Sequence, residues 1–188
     1  ILSVKEFQTI KLNTFKYKIN LIINTFYPVT KLNKINNYKY FFEKSILSLS
    51  NLLDNIDKKI LNKIIYTSSS AVYGSVIDNS ELKDNFNRNL YSYTKLCCEN
   101  LIKNFFDKNN INFIITRVFN CYNNKDNFSV LNKIVYALRE NKKITINNDG
   151  KSIRDFIHIN DVAKIYNILI KKFNNGVFDV GTGQGVKI

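Results

Sequence analysis

Ile64-Ile65-Tyr66-Thr67-Ser68-Ser69-Ser70-Ala71-Val72-Tyr73-Gly74, followed after a polar stretch by Tyr91-Ser92-Tyr93-Thr94-Lys95, decides how this chain reads. The apolar run at 64–68 reads as a buried strand that ends in a series of hydroxyls. Open α/β sheets bind ligands at that end of their strands. Tyr91 and Lys95 stand four residues apart at the start of a helix read over 91–107, so both project from one face. A phenol beside an ammonium has its anion stabilised, which predicts a lowered pKa for Tyr91. Next to a serine hydroxyl, such a phenol can take the proton of an alcohol while hydride leaves the carbon.

Outward from this stretch, apolar runs alternate with segments of helical period. Strands are expected at 19–24, 112–118, 143–146 and 177–180. Helices are expected at 36–56, at 128–140 and from a cap at Asn160 or Asp161 to about Phe173. In the helix over 36–56, Phe41, Phe42, Ile46, Leu49, Leu52 and Leu53 share one broad face. In that over 91–107, Leu101, Ile102, Phe105 and Phe106 face inward. A polar loop is expected from Ile77 to Leu90, and a turn at Asn148-Asp149-Gly150. The alternation predicts an α/β fold, a partial Rossmann-like doubly wound parallel sheet covered on both faces, with part of a smaller substrate-binding region.

The composition is globular, with 45% hydrophobic residues among 188. The formal charge is +13, from 28 basic and 15 acidic residues. The lysines are spread along the chain rather than gathered in a block. This argues against a nucleic-acid surface and is compatible with an anionic substrate. A single histidine argues against a His-based metal site. Cys97, Cys98 and Cys121 form no CxxC pair, and reduced thiols of a cytoplasmic protein are expected. No apolar run approaches the length of a membrane span. The chain lacks methionine altogether and reads as an internal piece of a longer protein.

All six glycines lie at Gly74 or later, so no glycine-rich turn follows the first strand, where a dinucleotide fold places its pyrophosphate site. Even so, the order of strand, Ser-Ser-Ser-Ala-Val-Tyr-Gly, loop and helical Tyr-x-x-x-Lys resembles the extended short-chain dehydrogenase/reductase family, especially its nucleotide-sugar epimerases and dehydratases. Arg117-Val118-Phe119-Asn120-Cys121-Tyr122 resembles that family's Arg-x-Phe-Asn segment. The stretch from Arg154-Asp155-Phe156-Ile157-His158 to Asp161-Val162-Ala163 resembles its Arg-Asp-Phe/Tyr-Ile-His motif, and Val177-Phe178-Asp179-Val180-Gly181-Thr182-Gly183 its closing strand.

The resemblance implies a catalytic Ser69, Tyr91 and Lys95, a bound NAD or NADP, and a nucleotide-diphosphate sugar as substrate. It places Thr25, Phe26, Ser45, Ser68, Tyr91, Lys95 and Cys121 on the cofactor side, and Ser70, Asn120 and Arg154 on the substrate side. A planar guanidinium at Arg154 suits diphosphate oxygens. His158 is implied as a structural residue, with Asp155 and Asp161 as hydrogen-bonding and capping groups. A homodimer is implied as well, through helices that include the one bearing Tyr91. Residues 1–123 would be the C-terminal part of the NAD(P)-binding domain. Residues 124–188 would be a mixed segment that builds the substrate region and returns to the sheet.

Two departures stand out. Ser45 occupies a position where the family usually has Asn, and Phe26 and Tyr27 are bulky for residues beside a nicotinamide. The piece alone is not expected to turn over. Ser70 and Ala71 supply neither the acid pair of a 4,6-dehydratase nor the Glu of a decarboxylase, and Ala71 is not the Cys of a 3,5-epimerase-reductase. The expected reaction is therefore 4-epimerisation. A 4-ketoreductase, or a scaffold with a decayed site, is the alternative.

Overall fold

The computed structural model describes residues 17–24, 38–76, 86–87, 90–124, 126, 129–145 and 150–188. Thr25, Phe26, Tyr27 and Pro28, expected beside a nicotinamide, lie outside the described residues, as do Asn148 and Asp149 of the expected turn.

Four parallel strands form the main sheet: β1 (Ile19–Ile23), β2 (Leu61–Ser69), β5 (Asn112–Val118) and β8 (Gly176–Val180), in the order β1-β2-β5-β8. Neighbours in the sheet follow one another along the chain, as on one side of a doubly wound fold. Between β1 and β2 run α1 (Tyr38–Phe42), a π-helical turn (Glu43–Leu47) and α2 (Ser48–Asn55). The crossover from β2 to β5 is α3 (Leu90–Asn109), and β8 follows α5 (Ile159–Lys172).

Alternation along β2 and β5 feeds two cores. Ile64, Tyr66 and Ile115 face α2 and α3, where they pack with Leu49, Leu52, Leu53, Ile102 and Phe106. Ile65, Ile114 and Val118 face the opposite way, onto Val162, Tyr166 and Leu169 of α5. A strand that is apolar on both sides is buried on both sides, as parallel sheets require.

A second sheet of three short strands carries β6 (Asn120–Tyr122) parallel to β7 (Ile153–His158), with β9 (Gly185–Lys187) antiparallel on its other edge. α4 (Val130–Arg139) lies between β6 and β7 in the chain and has no buried residue. β3 (Ser75–Val76), just before the stretch read as a polar loop, pairs with β4 (Phe86–Asn87) inside it as a short antiparallel ribbon.

Several expectations need correction. Of the strand expected at 143–146, Lys143, Ile144 and Thr145 belong to no regular element, and Ile146 lies outside the described residues. α5 is capped by His158 rather than by Asn160 or Asp161: the imidazole Nδ1 accepts from the Asn160 amide at 3.3 Å. The π-helical turn adds a residue to its loop of backbone and shifts the phase of the helix. Phe41 is fully buried while its neighbour Phe42 is exposed, because adjacent residues of α1 point about 100° apart and the buried face is narrower than expected.

Candidate active site

The C-terminal end of β2 and the first two turns of α3 bring Ser69, Tyr91 and Lys95 together. Ser69 ends β2 and caps the 3-10 turn Ser70–Tyr73, its Oγ accepting from the Ala71 amide at 3.2 Å. Gly74 closes that turn at φ +76°, in the left-handed region that suits a residue with no Cβ. With one lone pair filled by the Ala71 amide, the Ser69 hydroxyl can donate its proton toward the Tyr91 phenol, whose anion it favours. Lys95 is 4% exposed. Its Nζ donates to the Thr67 carbonyl at 2.9 Å and lies 5.8 Å from the centre of the Tyr91 ring and 5.1 Å from that of Tyr66.

The electrostatics differ from the sequence expectation. Burial pushes the Tyr91 phenol up, with the Ser69 hydroxyl opposing it, so the lowered pKa predicted from Lys95 is not produced by the protein's own groups. Burial likewise brings Lys95 down to about 8, against smaller opposing influences from Cys98 and Glu99. Desolvation outweighs the attraction of one ammonium at this separation.

Ser45 joins the same site. The π-helical turn presents it to a shallow recess lined by Phe41, Ser45, Tyr66, Tyr91, Thr94, Lys95 and Cys98. Its hydroxyl donates to the Phe41 carbonyl at 2.7 Å. A phenol and an ammonium at the mouth of a parallel sheet, lined by apolar rings, fit the nicotinamide-ribose end of a dinucleotide.

The other expected residues divide. Ser68 is buried and points to α3, where its Oγ donates to Glu99 Oε1 at 2.6 Å. Ser70 opens the 3-10 turn and is half-buried. Asn120 is exposed on β6, its Nδ2 donating to the Asp155 carbonyl at 3.0 Å. Cys121 pairs with Ile157 across the second sheet, and burial, with the Asp126 carboxylate, raises its thiol pKa. It therefore stays a neutral side chain. Arg154 is exposed, with Nη1 donating to the Ile153 carbonyl at 2.8 Å. His158 caps α5 and packs edge-on to Tyr122 at 5.3 Å, which makes it structural.

Two features were not found by sequence reasoning, and a third, the hydrogen-bonding role expected of Asp155, gains its partners. Glu99, one turn beyond Lys95, holds Arg117 through Nη2–Oε2 at 2.8 Å and Nε–Oε1 at 3.1 Å. The four-residue spacing from Lys95 is its only local signal. Tyr166 reaches through from α5 to Thr67 Oγ1 at 2.7 Å and Thr116 Oγ1 at 2.5 Å. Asp155 clasps the turn after β8: its carboxylate accepts from the Thr182 amide and hydroxyl and from the Gly183 amide, at 2.7–3.0 Å. Partial burial works against its ionisation, but these donors prevail and hold its pKa below the usual carboxylate range.

A parallel α/β sheet that gathers a serine, a tyrosine and a lysine at its carboxyl end defines a dehydrogenase-type class in which hydride and proton leave an alcohol together. Residues 9–181 match the NAD dependent epimerase/dehydratase family, and the chain belongs to it. It is 30% identical over 182 residues to dTDP-D-glucose 4,6-dehydratase of Dictyostelium discoideum, covering 89% of this chain and 42% of that protein. It is 30% identical over 160 residues to ADP-L-glycero-D-manno-heptose-6-epimerase of Brachyspira hyodysenteriae, covering 79% of this chain and 48% of the relative. Among solved structures, UDP-glucuronic acid 4-epimerase from Bacillus cereus, in complex with UDP-glucuronic acid and NAD, superposes with a TM-score of 0.66 at 24% identity. That match covers 81% of this chain and 50% of the other. The chain thus spans about half the length of the relatives it matches.

Both the family and the doubly wound α/β fold read from the sequence hold, and the protein is of an enzyme family that uses NAD. Among the described residues, no helix is long and apolar enough to cross a membrane.

Proposed function

We propose that the chain carries the hydride-transfer site of a cytoplasmic, NAD-dependent nucleotide-sugar 4-epimerase. The observation that supports this most directly is a buried Lys95, one helical turn after Tyr91, with its Nζ pinned to the Thr67 carbonyl just before Ser69 at the end of β2. Tyr91 takes the proton of the sugar 4-hydroxyl as the phenolate, and Ser69 donates to the oxygen on which charge changes. Lys95 supplies positive charge at the phenol and holds the nicotinamide ribose. NAD, when bound there, would supply hydride acceptor and donor chemistry at carbon 4. Tyr91, Lys95, Ser45 and Ser68 border the cofactor side, with Cys121 beyond them. NADP is accommodated by the same residues, because the group that reads the adenosine ribose is not among them. Ser70 and Asn120 face the sugar, and Arg154 the diphosphate.

A dehydratase is the second reading, favoured by the Dictyostelium relative. It needs a proton donor and a base for loss of water, and Ser70 and Ala71 offer neither beside Ser69. The nearby carboxylates are engaged elsewhere, Glu99 with Arg117 and Asp179 with the Tyr73 hydroxyl. The test is whether full-length protein interconverts UDP-glucose and UDP-galactose, or their N-acetyl forms, with no net NADH change. Stoichiometric NADPH consumption would make it a reductase, and accumulation of a 4-keto-6-deoxy sugar a dehydratase.

A homodimer accompanies this reading. Tyr38, Tyr40 and Phe42 of α1, Leu47 of the π-helical turn and Tyr93 of α3 are exposed apolar side chains on the helices involved. Sedimentation at equilibrium checks it, a monomer at micromolar concentration being the contrary result.

A further inference from the structure

We propose that Glu99 is a positioning residue for the reaction: through Ser68 and Arg117 it sets where the Ser69 hydroxyl meets the Tyr91 phenol. The inference rests on the Ser69–Tyr91 pair of the proposed function, but not on which sugar is turned over.

Glu99 is 1% exposed, and its two carboxylate oxygens are shared among three donors. Oε1 accepts from Ser68 Oγ at 2.6 Å and Arg117 Nε at 3.1 Å, and Oε2 from Arg117 Nη2 at 2.8 Å. The fork on Arg117 fixes direction as well as distance. Lys95 and Glu99 lie on successive turns of α3, and their targets, the Thr67 carbonyl and the Ser68 hydroxyl, are successive residues of β2. Two struts in sequence therefore fix both the height and the rotation of α3 against the strand end. Tyr91, one turn before Lys95, has its position set by them.

The second branch reaches Ser69 from the other side. Arg117 Nη1 donates to the Tyr73 hydroxyl at 3.0 Å, and its guanidinium lies 4.8 Å from the centre of the Tyr73 ring. The Tyr73 hydroxyl in turn donates to Asp179 Oδ1 at 2.8 Å, from the strand next to Arg117. Tyr73 ends the 3-10 turn whose Ala71 amide holds Ser69 Oγ. One buried carboxylate thus joins α3, the end of β2, the turn that orients Ser69, β5 and β8.

A buried ion pair is a poor source of net stability, since apolar residues of similar volume often serve as well. A pair that only supported the fold could be replaced without consequence for Ser69. That difference makes the proposal testable in the chain as it stands, without turnover. The Tyr91 phenolate is followed by ultraviolet titration, isolated from the other tyrosines by subtracting a Tyr91→Phe variant. In the paired variant Glu99→Leu/Arg117→Met, the Tyr91 midpoint is expected to rise by about half a unit or more, because the phenolate loses its Ser69 donor. Ser69→Ala should give a similar rise, and the three substitutions together should give no more than either set alone.

Ser68→Ala, which leaves the ion pair in place and cuts only one strut, should give a smaller rise. It serves also where the paired variant does not fold. An unchanged Tyr91 midpoint in the variant that folds, or shifts that simply add to that of Ser69→Ala, would overturn the proposal. Absence of epimerisation with these shifts intact would overturn the proposed function and leave the positioning role standing.

Discussion

The two sheets of this protein are built on different terms. The central strands of the main sheet, β2 and β5, are buried on both faces, and its carboxyl end is tied by hydrogen bonds from β2, β5, β8, α3 and α5. The small sheet of β6, β7 and β9 has one fully buried side chain, Ile157, and the α4 helix beside it in sequence has none. The groups proposed to handle hydride and proton sit on the first, and Asn120 and Arg154, proposed to hold the substrate, sit on the second. Proton transfer tolerates little misplacement, so its groups belong on the rigid part. Recognition of a nucleotide sugar tolerates more, and a lightly held sheet can vary without disturbing the chemistry.

The largest effect should separate the two regions by kinetics. In full-length protein, Tyr91→Phe should lower kcat by about a thousandfold or more, with an unchanged urea midpoint. Arg154→Ala should instead raise KM about tenfold with little change in kcat. If Arg154→Ala reduced kcat as severely as Tyr91→Phe, the division of labour would be wrong.

Stability should divide in the same way. Ile102→Ala or Ile114→Ala, at fully buried positions, should cost about 2–5 kcal/mol in urea unfolding. Leu138→Ala on α4, where the side chain is 68% exposed, should stay within about 0.5 kcal/mol. Arg117→Ala alone should cost about 3 kcal/mol, because it strands the Glu99 carboxylate in the interior. The junction between the sheets is narrower ground. A Cβ at Gly181 would stand 2.5 Å from Asp155 Oδ2 and 3.1 Å from the Phe119 ring. Gly181→Ala should therefore loosen the Asp155 clasp at a cost of about 1–3 kcal/mol.

The smallest effect is a pH slope. Lys95 falls from 10.5 to about 8 on folding, so between these values the unfolded chain binds more protons. Stability should rise with pH from about 8 upward, by something on the order of 1–3 kcal/mol in full. Lys95→Met should remove that slope and be the more stable protein at neutral pH. A slope that survives the substitution would place its origin elsewhere.

Much of this contrast could be read from residues alone, for a physical reason. β2 and β5 are buried on two faces and announce themselves as apolar runs, and the edge strands β1 and β8 keep enough of that pattern to be read. Tyr91 and Lys95 are joined by helical spacing, which is local. β7 did not announce itself, because Arg154, Asp155 and His158 interrupt the apolar pattern and its partners lie far along the chain. Phe42 was misjudged because hydrophobic period does not report how wide the covered face of α1 is. The sign of the Tyr91 shift depends on burial, which spacing does not report. Glu99 and Arg117 meet only once α3 has folded back onto β5, and no pattern of neighbours foretells a partner 18 residues away.

Thr67 is gripped from both sides of the sheet, its carbonyl by Lys95 of α3 and its hydroxyl by Tyr166 of α5. Anyone recombining this protein with a relative to trade sugar preference inherits that grip as a constraint on where to cut. A crossover between β5 and α5 would import a foreign residue at 166 opposite a native Thr67 and Thr116, and the chimera would loosen the footing of Lys95, the lysine proposed to act in catalysis, without any change near it. The three hydroxyl-bearing positions have to be transplanted as a set.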